Sequence, residues 1–224
     1  MISFVTSMFN GWREDVYKPE HVYRMRDMIA THYRKPHRFY CVTDQSLPGI
    51  NTVPLWDCPL PQRKGIPSCY YRLFLFSGQA RQLFGDMVVS IDLDAIILGD
   101  ISHLFTTDNF KIAKGVSNPY NGSLWQVKPG AYPELWTDLD QATANRANRQ
   151  KASNGKTFYG SDQAVMAYKL PKSPTWSEQD GIYQFHGDIP IKAKIVFFTG
   201  LIKPWNSRFA SLYWGKSEQK FSNG

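Results

Sequence analysis

The sequence predicts one α/β domain, and three observations carry that expectation. The chain opens in the order strand, helix, strand. Ile2-Ser3-Phe4-Val5-Thr6 is followed by Val22, Met25, Ile29 and Tyr33 at helical spacing, and then by Phe39-Tyr40-Cys41-Val42-Thr43. That order implies a right-handed crossover between two strands of one sheet. Next, Met87-Val88-Val89-Ser90-Ile91 is a compact β-branched run of the kind that fills a central strand. Finally, 224 residues with 42% hydrophobic content suit one domain with a sizeable core.

Taken in order, the first strand leads into a polar loop at 7–17. Pro19 sits where a first helical turn tolerates proline, so a helix is expected over about 19–32, stopped by Pro36. The second strand closes on the turn-forming Asp44-Gln45-Ser46. Residues 52–56 are a short strand candidate and 57–67 a loop rich in Pro and Gly. Ser68 is placed to cap a helix running to about Arg81. Beyond the central strand, 96–98 is a short extended piece, and 110–113 and 123–127 read as strands around a turn at Asn121-Gly122. A helix over about 133–149, a loop at 151–159, a short helix at 162–169 and a last strand at 195–198 complete the pattern. The tail from 201 to 224 has no strong period, and no repeat or low-complexity block interrupts the chain.

The formal net charge of +7 suits an anionic partner, whether nucleic acid, lipid headgroup or phosphorylated small molecule. The basic residues are scattered, which speaks against a DNA-binding stripe, and no signature of an RNA-binding module is present. No nucleic-acid partner is therefore expected. Aromatics make up 15% of the chain, enough for a core and for a site that stacks bases and sugar rings. Cys41, Cys58 and Cys69 are odd in number and form no CxxC pair, which predicts reduced thiols rather than disulfides or structural zinc. The N-terminus lacks a signal-peptide pattern, and no stretch approaches the ~20 apolar residues of a membrane span. A cytoplasmic protein, at most peripheral to a membrane, is expected. The tail from Arg208 to Lys216 mixes aromatic with basic residues; this suits either contact with an anionic membrane or an ordinary C-terminal cap, and the cap is preferred.

The strongest chemical signal is Asp92-Leu93-Asp94, directly after the strand 87–91. Carboxylates are costly inside a sheet, but at a strand's carboxyl end they face the crevice where open α/β sheets bind ligands. Two of them one residue apart can hold a hard cation, Mg²⁺ or Mn²⁺, which takes one or two carboxylates together with phosphate oxygens. Such an ion neutralises charge on a diphosphate leaving group. A solvated acidic turn is the plain alternative.

Val88-Val89-Ser90-Ile91-Asp92-Leu93-Asp94-Ala95-Ile96-Ile97, with Asp100-Ile101 after it, resembles the DxD segment of GT-A glycosyltransferases. It is most similar to family 8, the glycogenin-like and bacterial lipooligosaccharide galactosyltransferase group. Tyr71-Arg72-Leu73, Tyr120-Asn121-Gly122-Ser123-Leu124, Gly160-Ser161-Asp162-Gln163 and Gly200-Leu201-Ile202-Lys203-Pro204-Trp205 fall in the order that group shows, so the resemblance spans roughly residues 2–206. It implies a GT-A fold, a Rossmann-like mixed sheet flanked by helices. About 1–100 would form the nucleotide-binding half, about 101–206 the acceptor-binding half, and 207–224 a tail.

The resemblance also implies roles. Thr6 and Ser7 would hold the nucleotide and Tyr17 stack on its base. Arg72 would reach the donor, as a guanidinium suits phosphate and sugar oxygens, or else make only a surface salt bridge. Asn121 and Ser123 would contact the donor sugar or acceptor, unless Asn121-Gly122 is a plain hairpin turn. Asp162 and Gln163 would flank the anomeric carbon, unless Asp162 is only a helix cap. Gly200 and Lys203 would close over the diphosphate, with Asp92 and Asp94 binding Mn²⁺ or Mg²⁺. The implied activity is transfer of a hexose from a UDP-sugar to a carbohydrate or glycan acceptor, with retention. One departure stands out: the related pattern has a metal-binding His three residues before the Gly, and this chain has Phe197 there. His186 is a conceivable substitute. The departure supports an alternative, a degenerate protein that binds sugar nucleotides or carbohydrate without turnover. A sugar-nucleotide pyrophosphorylase is a further alternative, although the segment after the first strand lacks the Gly-rich, Arg-containing phosphate loop such enzymes carry.

Overall fold

A computed structural model of the chain describes residues 1–9, 17–60, 69–106, 108–116, 118–150 and 162–215. The opening crossover is present. Strand β1 (Ile2–Met8) leads to helix α1 (Pro19–His32) and returns to β2 (His37–Thr43), parallel to β1. Pro19 starts α1 as expected, and His21 Nδ1 accepts a hydrogen bond from the Lys18 backbone N–H at 3.1 Å. Val22, Met25 and Ile29 are fully buried, so the apolar stripe faces the sheet. A short β3 (Asn51–Val53) is followed by a 3₁₀ segment (Cys69–Phe76), helix α2 (Gly78–Phe84) and β4 (Met87–Ile91). Every residue of β4 is buried, which explains its unbroken apolar run.

The remaining elements are β5 (Ala95–Ile97), β6 (Phe110–Lys114), β7 (Tyr120–Val127), α3 (Glu134–Thr137), α4 (Gln141–Asn148), α5 (Asp162–Lys169), β8 (Thr175–Trp176), β9 (Ile182–Gln184), β10 (Ile195–Phe197) and α6 (Ala210–Trp214). Seven strands form a mixed sheet in the order β3-β2-β1-β4-β7-β6-β8. A small sheet, β5-β10-β9, stands beside it. The core has two parts. Phe4 and Met8 of β1 pack with α1 and the small sheet, while Val5, on the opposite face, packs with the 3₁₀ segment and α2. Trp125 of β7 lies in this second part, fully buried and stacked on Phe76 with ring centroids 5.2 Å apart.

Three expectations are corrected. The helix to Arg81 is two pieces: Ser77 has extended backbone, and its side chain accepts from the Ala80 N–H, so it ends the 3₁₀ segment and caps α2. Ser68 and the loop at 151–159 lie outside the described residues. The helix expected over 133–149 is also two, because Asp140 accepts from the Thr143 N–H at 2.6 Å and starts α4 afresh. Asn121-Gly122 is not a hairpin turn; both residues lie within β7, and the chain reverses between Lys114 and Tyr120.

The tail packs back on the domain as far as Trp214. Tyr213 is buried, and Trp214 lies beside His21 with ring centroids 5.9 Å apart. Among the described residues no helix is long and apolar enough to cross a membrane.

Candidate active site

Asp92 and Asp94 mark the place where the chain passes from one sheet to the other. The backbone leaves the large sheet at Ile91 and joins the small one at Ala95. Three constraints fix the bend. The Asp92 N–H donates to Ser123 O at 3.0 Å, Leu93 is buried, and the Phe198 N–H donates to Asp94 O at 2.9 Å. With Leu93 anchored in the core, the flanking carboxylates are held at the carboxyl end of β4, beside that of β1, as the sequence predicts.

Each carboxylate meets a cation supplied from far along the chain. Arg72, on the 3₁₀ segment, donates through Nη1 to Asp92 Oδ1 at 2.6 Å and to Gly122 O at 3.1 Å. Its Nη2 donates to Asp162 Oδ1 at 3.1 Å. Arg72 Nε lies 2.8 Å from Asp162 Oδ2 without hydrogen-bond geometry, so that contact is electrostatic. Burial opposes the charge on Arg72, but Asp162 and Asp92 outweigh it and hold the guanidinium pKa well above its ordinary value. Asp162 is 1% exposed; burial pushes its pKa up while Arg72 pulls it down.

On the other side, Lys203 Nζ lies 2.5 Å from Asp94 Oδ2, and the Tyr17 hydroxyl donates to the same oxygen at 3.0 Å. Lys203 and Asp94 are 3% and 6% exposed, so this is an ion pair largely removed from water. Burial and Asp92 push the Asp94 pKa up, against Lys203 and Tyr17. Lys203 is held by its own turn, its backbone N–H donating to Asn206 Oδ1 at 2.6 Å. The turn is fastened to α1 where Trp205 stacks on buried His21 at 3.7 Å. Burial, with Lys18 adding to it, lowers the His21 pKa to about 4, so the stacked imidazole is neutral.

Two cavities open on this network. One, of about 180 Å³, is lined by Thr6, Ser7, Tyr17, Arg72 and Asp92 among others. Five residues predicted from the sequence thus share one cavity. Thr6 Oγ1 is buried with no hydrogen-bond partner among the described residues, the state of a hydroxyl that a polar ligand would satisfy. The other cavity, of about 220 Å³, is lined by the uncharged polar side chains of Asn118, Asn121, Gln163, Gln184 and Thr199, with Val116 and Tyr120 beside them. Gly122 sits between the two: its N–H donates to Gln163 Oε1 at 2.9 Å, and a Cβ there would come within 3.2 Å of Arg72 Nη2. This close approach explains a glycine in the middle of a strand.

Not every predicted residue faces a cavity. The Ser123 backbone N–H donates to Asn121 Oδ1 and its C=O accepts from Asp92, so it ties β7 to the bend. Asp162 lies beneath Arg72 as its counter-ion. Gly200 is exposed in an open turn at φ +72°. Sequence reasoning missed Cys69, which lines the first cavity, and Gln184 and Thr199 in the second. Thr199 adjoins the Gly200 motif and was within reach. Gln184 lies on a three-residue strand that leaves no pattern.

The fit to a divalent cation can be read from the donor set. Among the described residues no group of three or more His, Cys, Asp or Glu side chains could hold a metal. Phe197 is buried in the core and His186 is exposed. Asp92 Oδ2 and Asp94 Oδ1 nevertheless accept no hydrogen bond from the described residues. Two carboxylate oxygens suit a Mg²⁺ or Mn²⁺ ion that draws its other ligands from phosphate and water, not one caged by protein.

No family model matches the chain, and no curated protein matches it. Its architecture does match solved structures. The galactosyltransferase LgtC, in complex with donor and acceptor sugar analogs, superposes with a TM-score of 0.61 over 95% of both chains, at 13% identity. The chain has the GT-A fold. GlyE from Streptococcus pneumoniae TIGR4 shares it with a TM-score of 0.59 and 15% identity, over 95% of this chain and 59% of GlyE. The bifunctional glycosyltransferase WbbM matches with a TM-score of 0.55 and 14% identity, over 93% of this chain and 47% of WbbM. The chain therefore spans about half to three-fifths of GlyE and WbbM. At these identities the likeness is one of GT-A fold.

Proposed function

We propose that this chain is a glycosyltransferase that moves a hexose from a UDP-sugar to a carbohydrate or glycan acceptor, with retention at the anomeric carbon. The observation that carries the reading is the pair of cavities flanking Gly122, which touches Arg72 of the first and Gln163 of the second. The first offers what a nucleotide diphosphate needs: the unsatisfied hydroxyl of Thr6, the aromatic ring of Tyr17 and the guanidinium of Arg72. The second offers amides and a hydroxyl that both donate and accept, as sugar hydroxyls require. Gln163 faces this second cavity with its Oε1 held by the Gly122 N–H, so its orientation is set before a ligand arrives. One LgtC structure is described as an active-site mutant in which a glutamine is exchanged for glutamate, which supports a glutamine as part of the machinery.

In this reading residues 1–100 supply the nucleotide half and 101–206 the acceptor half, with Lys203 reaching back from the second to the first. Arg72 stays charged, held by Asp162 from beneath, and presents a fixed positive edge to the donor. Asp92 and Asp94 are the residues that would hold Mn²⁺ or Mg²⁺, which supplies Lewis-acid neutralisation of the diphosphate leaving group when bound. Thr6 and Ser7 orient the nucleotide, and Asn121 and Gln163 orient the transferred sugar.

A thermal-shift screen of nucleotide sugars with Mn²⁺ tests this. UDP-sugars should raise the melting temperature and other nucleotide sugars should not, and a glycan acceptor should then release UDP. A flat screen across all donors would overturn the reading. Stabilisation by UDP-sugars without UDP release, across acceptors, would instead favour a non-catalytic sugar-nucleotide binder, a reading to which Phe197 lends weight.

A further inference from the structure

Lys203 does not point freely at the place a diphosphate would take. It is committed to Asp94, and with Tyr17 it occupies one of the two carboxylates that would receive a cation. Arg72 does the same at Asp92. No third protein ligand comes from Phe197 or His186.

Arg72 and Lys203 carry two positive charges; Asp92, Asp94 and Asp162 carry three negative ones, leaving one net negative charge in the network. A metal-free diphosphate meets that negative charge and is repelled. A cation alone meets an ammonium already seated on Asp94 and a guanidinium on Asp92. A cation and diphosphate together resolve both problems. The two added positive charges turn the network net positive, and the phosphate oxygens complete the cation's shell.

We infer that Lys203 is a resident competitor for the divalent cation at Asp94, so that cation and nucleotide enter as one coupled event. The inference rests on the donor site proposed above. On binding, Lys203 exchanges its carboxylate partner for the diphosphate and leaves the charge of Asp94 to the ion. The turn that carries it favours such an exchange. Leu201 and Ile202, just ahead of Lys203, are 85% and 52% exposed, whereas Trp205, just after it, is clamped on His21. The ammonium can shift while the base of the turn stays in place.

Mn²⁺ titration followed by electron paramagnetic resonance of the free ion provides the test, on the full chain with and without UDP. Wild type should bind Mn²⁺ at least about tenfold more tightly with UDP than without it. Lys203→Met should bind Mn²⁺ alone at least about tenfold more tightly than wild type does, and its UDP-dependent gain should shrink correspondingly. Lys203→Arg, which keeps the charge, should behave as wild type. Equal Mn²⁺ affinity with and without UDP in wild type, alongside measurable UDP binding, would overturn the competition while leaving the donor site intact; so would a folded Lys203→Met protein with unchanged Mn²⁺ affinity. Should Lys203→Met not fold, Lys203→Gln, which removes the charge and keeps a polar end, takes its place with the same expected outcome. Absence of UDP binding in every arm would overturn the donor site itself and this inference with it.

Discussion

Arg72 and Asp162, ninety positions apart, meet where the 3₁₀ segment touches the start of α5, with Arg72 Nε 2.8 Å from Asp162 Oδ2. Asp162 is almost wholly buried and Arg72 nearly so, and the pair turns the rest of the guanidinium toward Asp92 and the first cavity. Removing Asp162 leaves the buried Nε and Nη2 of Arg72 without a carboxylate, while Nη1 keeps Asp92. Asp162→Ala should therefore cost about 1–3 kcal/mol of stability and abolish donor binding. Urea denaturation and UDP calorimetry measure the two effects. Full stability in the variant would show that the pair is solvated.

Gly122 is a spacer between the two cavities. In Gly122→Ala the new Cβ lies 3.2 Å from Arg72 Nη2 and 3.4 Å from Gln163. The backbone has no strain to relieve there, so melting should move by only a few degrees while turnover falls about ten- to hundredfold through misplacement of both side chains. Steady-state kinetics beside a melting curve separates the outcomes. A variant with unchanged turnover would mean that Arg72 and Gln163 adjust without cost.

Gln163 is the residue of the second cavity whose amide is oriented before ligand arrives. Gln163→Ala should lower kcat by about a hundredfold and leave the KM for the donor within about threefold, because the nucleotide contacts lie in the other cavity. A rise in donor KM at constant kcat would place Gln163 among the nucleotide contacts.

His21 gives the protein an acid-side weakness. Its folded-state pKa, about 4, lies below the ordinary 6.5 of a free imidazole. Its neutral stacking on Trp205 therefore contributes fully above pH 6.5, and that contribution is lost progressively as pH falls from 6.5 toward 4, where the unfolded chain binds the extra proton. Melting temperature should drop across that window. In His21→Phe, which keeps a ring against Trp205, the drop should be shallower, and the difference between the two curves isolates His21 from nearby carboxylates. Parallel curves would contradict the burial of a neutral imidazole.

The parts of the fold legible in the sequence are those with an unbroken period. β1, α1, β2 and β4 were each readable because one face or the whole element is apolar over five or more positions. β8 and β9, with two and three residues, leave no such record. The segment Cys69–Phe76 is apolar nearly all round, which hides the break at Ser77 from any argument based on spacing. Asn121-Gly122 misled because its local turn signal is strong, whereas the glycine is there to admit Arg72 and Gln163; the real reversal uses Gly115, where a Cβ would lie 2.2 Å from Asn118 O. The place of the two aspartates at the carboxyl end of β4 was legible from chemistry and position. Their pairing with Lys203 and Arg72 was not, since the partners lie 109 and 20 positions away and only the folded chain brings them together. Ser123 contributes through its backbone, which residue type does not reveal.

Whether the paired aspartates hold an ion that in turn holds the diphosphate is decided by calorimetric titration of UDP with Mn²⁺ present, on wild type and on Asp94→Asn. Wild type should bind saturably and the variant should not. Equal binding by both proteins, or no heat from either, would refute metal-mediated donor binding at this site.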